Sequence, residues 1–226
     1  MPAEQLILDL ARAEAPTFAN FVAGANGEAV AALSSLANGT LMHPGLLVWG
    51  GPGGGKSHLL HAAMAAARGH GRSVVERVID VEGVRPGMLV VVDDVHGLAP
   101  NAQAALFTLV NVLASVGGQW LAASHVPPMA LPLRDDLRTR LALGLVLEIQ
   151  PLADADKPAA LAAYARERGF HLSDDVIVYL LAHGRRDMTS LVATLAALDR
   201  RSLDMKRNVT VPLLRDWLQR DLGLSR

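Results

Sequence analysis

The chemistry of this chain gathers around one glycine-rich stretch. Gly50-Gly51-Pro52-Gly53-Gly54-Gly55-Lys56-Ser57 fits the spacing G-x-x-x-x-G-K-[ST], which occurs once. The apolar run Leu46-Leu47-Val48-Trp49 precedes it. Residues 56–68, rich in alanine and leucine, follow it and stop at Gly69. That order of strand, loop and helix is the context the spacing requires. Glycines let successive backbone N–H groups turn toward one point and approach a polyphosphate closely. The helix that follows adds the partial positive charge of its N-terminus. Gly50, Gly53, Gly54 and Gly55 therefore read as a phosphate cradle. Lys56 would reach the β- and γ-phosphates as an exposed group, and the Ser57 hydroxyl would ligate Mg²⁺.

A second constellation has the matching chemistry. Val90-Val91-Val92-Asp93-Asp94 is a buried-strand pattern ending in two carboxylates, as in a Walker B site. Asp93 is the candidate Mg²⁺ ligand, because magnesium takes oxygen donors. Asp94 is the candidate for orienting or polarising an attacking water. Together the two stretches read as a P-loop ATPase or GTPase.

These residues need a scaffold, and the pattern supplies one. Short apolar runs at 46–49, 73–79, 88–92, 120–123 and 145–149 read as five strands. Helical stretches at 56–68, 101–115 and 134–141 alternate with them, with Asn101 as a cap candidate. Alternation of this kind implies a parallel sheet with helices on both faces. After Pro151 the pattern changes. Residues 156–169, 174–183, 188–203 and 212–222 all read as helices, with Ser173 and Thr210 near helix starts. The expected organisation is an N-terminal peptide over 1–12, an α/β core over 13–151 and a small all-α unit over 152–226.

Composition excludes several alternatives. The chain has 226 residues, and 51% of them are apolar, so a sizeable core can be buried. Lys and Arg number 21 against 22 Asp and Glu, a net charge of -1. Neither side of Pro151 forms a basic arm of the kind that wraps nucleic acid. With no cysteine, thiolate metal sites, cysteine nucleophiles and disulfides are excluded. The mean hydropathy of +0.27 is driven by alanine, and no uninterrupted apolar run reaches the roughly 18 residues of a spanning helix. The opening Met1-Pro2-Ala3-Glu4 has no basic stretch, so a cytoplasmic protein without a signal peptide is expected.

Beyond the two phosphate motifs, the chain resembles the AAA+ part of the bacterial DnaA family, and its Hda-type replication regulators in particular. Thr17-Phe18-Ala19-Asn20-Phe21-Val22-Ala23-Gly24 resembles the segment that walls the adenine pocket there. By that likeness Phe21 and Val22 line the base. Ser124 falls at the family's sensor 1 position, although His125 beside it departs from the acid or other polar group common there. Leu137-Arg138-Thr139-Arg140-Leu141 resembles the family's box VII, which makes Arg140 the arginine finger. Gly184-Arg185-Arg186-Asp187-Met188 falls at sensor 2, which makes Arg186 that residue. The stretches 198–202 and 209–212 are also similar to the Hda-type C-terminal region.

The N-terminal Gln5-Leu6-Ile7-Leu8-Asp9-Leu10 resembles the Q-L-x-L-x-L sliding-clamp motif of these regulators, with Gln5, Leu6, Leu8 and Leu10 as contacts. Taken alone, the same leucines fit an edge strand or a helix face.

The resemblance implies an AAA+ α/β core with a five-stranded parallel sheet and a helical lid, binding ADP or ATP with Mg²⁺. It implies a replication inhibitor that docks on the clamp and stimulates ATP hydrolysis by DnaA. Its own hydrolysis would be weak. A homodimer or small oligomer without sequence-specific DNA binding is expected. A helicase-loader-like ATPase and a nucleotide-sensing adaptor are the competing readings.

Overall fold

The computed structural model of the chain describes residues 15–78, 80–185, 187–205 and 209–221. They fall into two compact units. One is Pro16–Ala160 with Asp187–Thr189; the other gathers the remaining described residues from 161 onward.

The first unit is built on strands β1 (Gly45–Trp49), β2 (Val74–Val75), β3 (Leu89–Val92), β4 (Gln119–Ser124) and β5 (Leu145–Glu148). They form one parallel sheet in the order β2-β3-β4-β1-β5. Parallel neighbours need crossovers, and helices α1 (Gly27–Ala37), α2 (Lys56–Gly69), α3 (Pro100–Ser115) and α4 (Asp135–Ala142) lie within them or lead into the sheet. Side chains alternate along each strand, so neighbouring residues feed different layers. Leu46 and Val48 pack with Leu33, Leu36, Leu59 and Met64, while Leu47 packs with Leu106, Leu109, Leu137 and Leu141. Both faces of β1 and β3 are covered, which is why those strands read as unbroken apolar runs.

The central packing element is Trp120. It is 2% exposed and pairs in register with Gly45 of β1. Its indole occupies the space that a Cβ would need at both Gly45 and Gly144. Two glycines thus let one large side chain lie flat between β1 and the turn into β5.

Several local expectations are corrected. The strand expected over 73–79 is only Val74–Val75. It is the edge strand beside β3, and Glu76 beyond it turns toward His61 at 3.5 Å. Helix α3 starts at Pro100 with Ala99 at the cap position, not at Asn101. Proline at the first helical position forgoes an N–H that has no intrahelical partner anyway. Asn101 instead accepts from the neighbouring Ala102 N–H at 2.9 Å. Helix α1 was not read from the sequence at all; its core face is Ala29, Leu33, Leu36 and Ala37.

The second unit is helical among the described residues. It contains most of α5 (Lys157–Glu167), α6 (Asp174–His183), α7 (Met188–Met205) and α8 (Val211–Asp221). Its core includes Leu161, Val176, Leu180, Leu195, Leu198 and Leu214. Ser173 does occupy the cap position of α6, but through its backbone carbonyl, which accepts from Val176 and Ile177, and without a side-chain cap bond. No helix among the described residues is long and apolar enough to cross a membrane.

Trp120→Ala removes a fully packed indole and leaves two glycines facing a void. It is expected to lower unfolding free energy by about 3–5 kcal/mol, read by denaturant unfolding. A loss below about 1 kcal/mol would show that the sheet does not depend on this residue.

Candidate functional site

The glycine-rich loop runs from the carboxyl end of β1 to the first turn of α2. Its entry is tied to the sheet, because the Gly50 N–H donates to the Ser124 carbonyl at the end of β4 at 3.2 Å. Its exit requires a left-handed residue. Gly55, the cap position of α2, has φ +89°, and the Phe21 ring lies where a Cβ would stand. Any other residue there would be strained and would also collide with Phe21.

Lys56 is not exposed, contrary to the expectation from sequence. It is 6% exposed, and its ammonium donates to the carbonyls of Gly50 at 2.8 Å and Gly51 at 2.9 Å. Burial pushes the ammonium below its ordinary value of 10.5, while the carboxylates of Asp93 and Asp94 pull it upward. The lysine therefore closes the loop on itself, and its charge is held inside the loop rather than out in solvent.

The carboxylate-bearing stretch after β3 meets this loop. The Ser57 hydroxyl donates to Asp93 Oδ2 at 3.0 Å across 36 residues. A hydroxyl and a carboxylate converging on one point are the oxygen donors that Mg²⁺ takes. The other Asp93 oxygen, Oδ1, accepts from the Asp94 N–H at 2.9 Å.

Asp94 is held in an unusual way. It is the only non-glycine residue with positive φ among the described residues, at φ 49°. Its Oδ1 lies 3.2 Å from His125 Nε2 and 4.0 Å from His96 Nδ1. The sequence reading missed this histidine pair as a partner of Asp94. The available signal was Asp94-Val95-His96 beside a histidine directly after the fourth strand.

The other expected residues divide. Phe21 is partly buried and packs on Gly55 and, with rings 5.5 Å apart, on His58. Val22 is 38% exposed. The segment carrying both is fixed at its ends. Thr17 and Asn20 exchange side-chain to backbone bonds. The Asn26 amide both donates to and accepts from the Gln150 backbone at 2.8 Å. Ser124 is fully buried, and its hydroxyl accepts from the Val126 N–H at 3.0 Å, bracing the turn after β4. Arg140 sits in the last turn of α4, exposed. Arg186 and the clamp-motif residues Gln5, Leu6, Leu8 and Leu10 lie outside the described residues.

The fold has known counterparts. Domain III of DnaA from Thermotoga maritima superimposes with TM-score 0.74 at 21% identity, covering 91% of this chain and 95% of that one. AMPPCP-bound DnaA from Aquifex aeolicus gives 0.67 at 24%, covering 81% of this chain. This chain spans 64% of that protein's length. The RuvB Holliday junction branch migration motor of Thermotoga maritima gives 0.62 at 13%, covering 87% of this chain and 67% of that one. Sheet order, phosphate loop and helical second unit define an AAA+ P-loop fold.

Residues 154–218 match the family model described as the lid domain of Hda. The chain is thus similar to Hda in its helical region and has the AAA+ fold of the DnaA structures.

Lys56→Met keeps the aliphatic stem and removes the ammonium. The fold is expected to survive, because the desolvation cost of the charge offsets its two hydrogen bonds. Calorimetric titration with ATP should show no binding; retained affinity in the folded variant would remove Lys56 from the phosphate site. The sign of the pH effect follows from the lowered value. The burial penalty is complete at neutral pH and is relieved as pH rises toward 10.5. Parent stability relative to Lys56→Met should therefore climb on the alkaline side.

Proposed function

We propose that this chain is a nucleotide-holding regulator that completes the ATPase site of DnaA in trans through Arg140. The observation that carries this reading is the state of the arginines around α4. Arg134 pairs with Asp136 at 2.7 Å and Arg138 with Asp135 at 2.6 Å. The Arg140 guanidinium forms no hydrogen bond or ion pair among the described residues and is exposed. A cation left without a carboxylate near a helix end is available to a partner's phosphates. An arginine supplied in trans to a phosphoryl-transfer site is typically worth about 10³–10⁵ in rate. The Hda-type lid over 154–218 supports DnaA as that partner.

In this reading the chain holds ADP or ATP in its own loop. Backbone N–H groups of Gly53, Gly54 and Gly55 with Lys56 take the phosphates, and Ser57 with Asp93 takes Mg²⁺. Phe21 and Val22 flank the base, Ser124 braces the strand end nearby, and Arg186 contacts the phosphates from the lid. The Aquifex aeolicus relative was solved with AMPPCP, which supports a nucleotide here. Intrinsic hydrolysis is weak, because the Asp94 carboxylate faces His125 at 3.2 Å and is not free to orient water.

The rest of the proposal follows the family likeness. Gln5, Leu6, Leu8 and Leu10 dock the protein on the sliding clamp, residues 13–151 form the core and 152–226 the lid. The protein works in the cytoplasm as a homodimer or small oligomer that inhibits re-initiation. It makes no sequence-specific DNA contact of its own, in keeping with a net charge of -1.

The test is ATP hydrolysis by DnaA with clamp-loaded DNA and either the parent or the Arg140→Ala protein. The variant should associate as the parent does yet stimulate at least about a hundredfold less, since the lost charge acts in the transition state. Equal stimulation by both rejects the finger role, and no stimulation by either rejects DnaA as the client. Gln5→Ala should separately abolish retention on immobilised clamp; full retention would remove the peptide from the interface.

A further inference from the structure

Asp94, His96 and His125 come together from two separate parts of the chain. Asp94 follows β3, with His96 two residues further on, and His125 follows β4, the next strand in the sheet. One ligand-type atom from each lies within 4.8 Å of the others. The two imidazole rings meet edge to face with centroids 4.7 Å apart.

A second observation concerns His96. Its Nδ1 is sealed from solvent and has no hydrogen-bond partner, although it lies 4.0 Å from Asp94 Oδ1. A buried nitrogen without a partner is costly, and such atoms in folded proteins usually have an ion, water or functional role behind them. The left-handed backbone of Asp94 stores strain at the same point, and strain of this kind clusters at functional sites.

We propose that Asp94, His96 and His125 form a binding site for a divalent transition-metal ion such as Zn²⁺ or Co²⁺, distinct from the Mg²⁺ position at Ser57 and Asp93. The spacing suits it. Ligand atoms about 2.0–2.1 Å from such an ion lie about 3.3 Å from one another in a tetrahedral arrangement. His125 and Asp94 already stand at 3.2 Å, and His96 Nδ1 stands farther out, at 4.0 Å from the same carboxylate oxygen. The donor set selects the metal: two imidazoles and one carboxylate suit Zn²⁺ or Co²⁺, whereas Mg²⁺ prefers the all-oxygen pair. Three protein ligands leave a fourth position open, as in sites that bind water or a small anion. Metal bound here would hold the Asp94 carboxylate away from water, as its contact with His125 already does without one. That consequence for hydrolysis rests on the proposed function, but the binding itself does not.

The experiment uses the full chain, stripped with chelator and kept in excess Mg²⁺ without nucleotide. Co²⁺ is titrated in, with visible absorbance and calorimetry as readouts. One equivalent should bind with ligand-field bands in the visible. His125→Ala and Asp94→Asn should each weaken binding by roughly tenfold or more. X-ray absorption of the bound Co²⁺ should count two imidazoles in the parent, a readout that needs no variant. Absence of a one-equivalent step, equal affinity in parent and variants, or fewer than two imidazoles around the metal would each overturn the site. Any binding would then belong to other surface histidines.

Discussion

The hydrogen bond from Ser57 to Asp93 joins residues 36 positions apart, and the rest of the site is arranged around it. It exists because β1 and β3 run parallel in one sheet with β4 between them. Parallel strands end on the same side, so the loop after β1 and the carboxylates after β3 emerge together. β4 sets the spacing, and it is in turn set by Trp120 lying against Gly45. The Ser124 carbonyl at its end holds the first residue of the phosphate loop. A packing decision at one end of β4 and a polar contact at the other thus fix where two oxygen donors meet.

The loop is organised around a charge that has been taken out of water. Burying an ammonium is costly unless its donors are satisfied. Lys56 satisfies two of its three with the carbonyls of Gly50 and Gly51. Those carbonyls can point inward because the glycines around them accept backbone conformations closed to other residues. Phe21 then covers Gly55 from the N-terminal segment. That segment is tied to Gln150, two residues beyond β5, by the Asn26–Gln150 bonds. The wall beside the loop is thus anchored to the sheet edge rather than to α1 alone.

The two acids of the Walker B stretch have different surroundings despite adjoining positions. Asp93 accepts a hydroxyl and the backbone N–H of its neighbour. Asp94 is turned away by its left-handed backbone and meets imidazoles. The difference separates an oxygen-only position from a nitrogen-rich one within two residues. It also gives the departure at His125 a physical meaning: the side chain after β4 reaches the acid after β3 because the two strands are neighbours.

Much of this was legible in the chain itself. The glycine spacing, the apolar run before it and the acids after Val92 are local patterns, and the physics that makes them a strand, a loop and a helix is local too. The parallel sheet followed from alternation, and the helical second unit from the loss of it. What the sequence could not settle was decided by partners distant in the chain. Lys56 reads as a phosphate-facing cation, but only the closed loop buries it. Asn101 has the right chemistry for a cap, but Pro100 fits the first helical position better. The run at 73–79 has strand-forming residues, yet the edge of the sheet pairs only two of them. Helix α1 escaped notice because alanines and serines blur its apolar face, which is defined by contact with β1 and α2. The meeting of His96 and His125 on Asp94 depends on strand order, and strand order is a property of the packed sheet, where each strand's neighbours are chosen by burial and hydrogen bonding across the whole core.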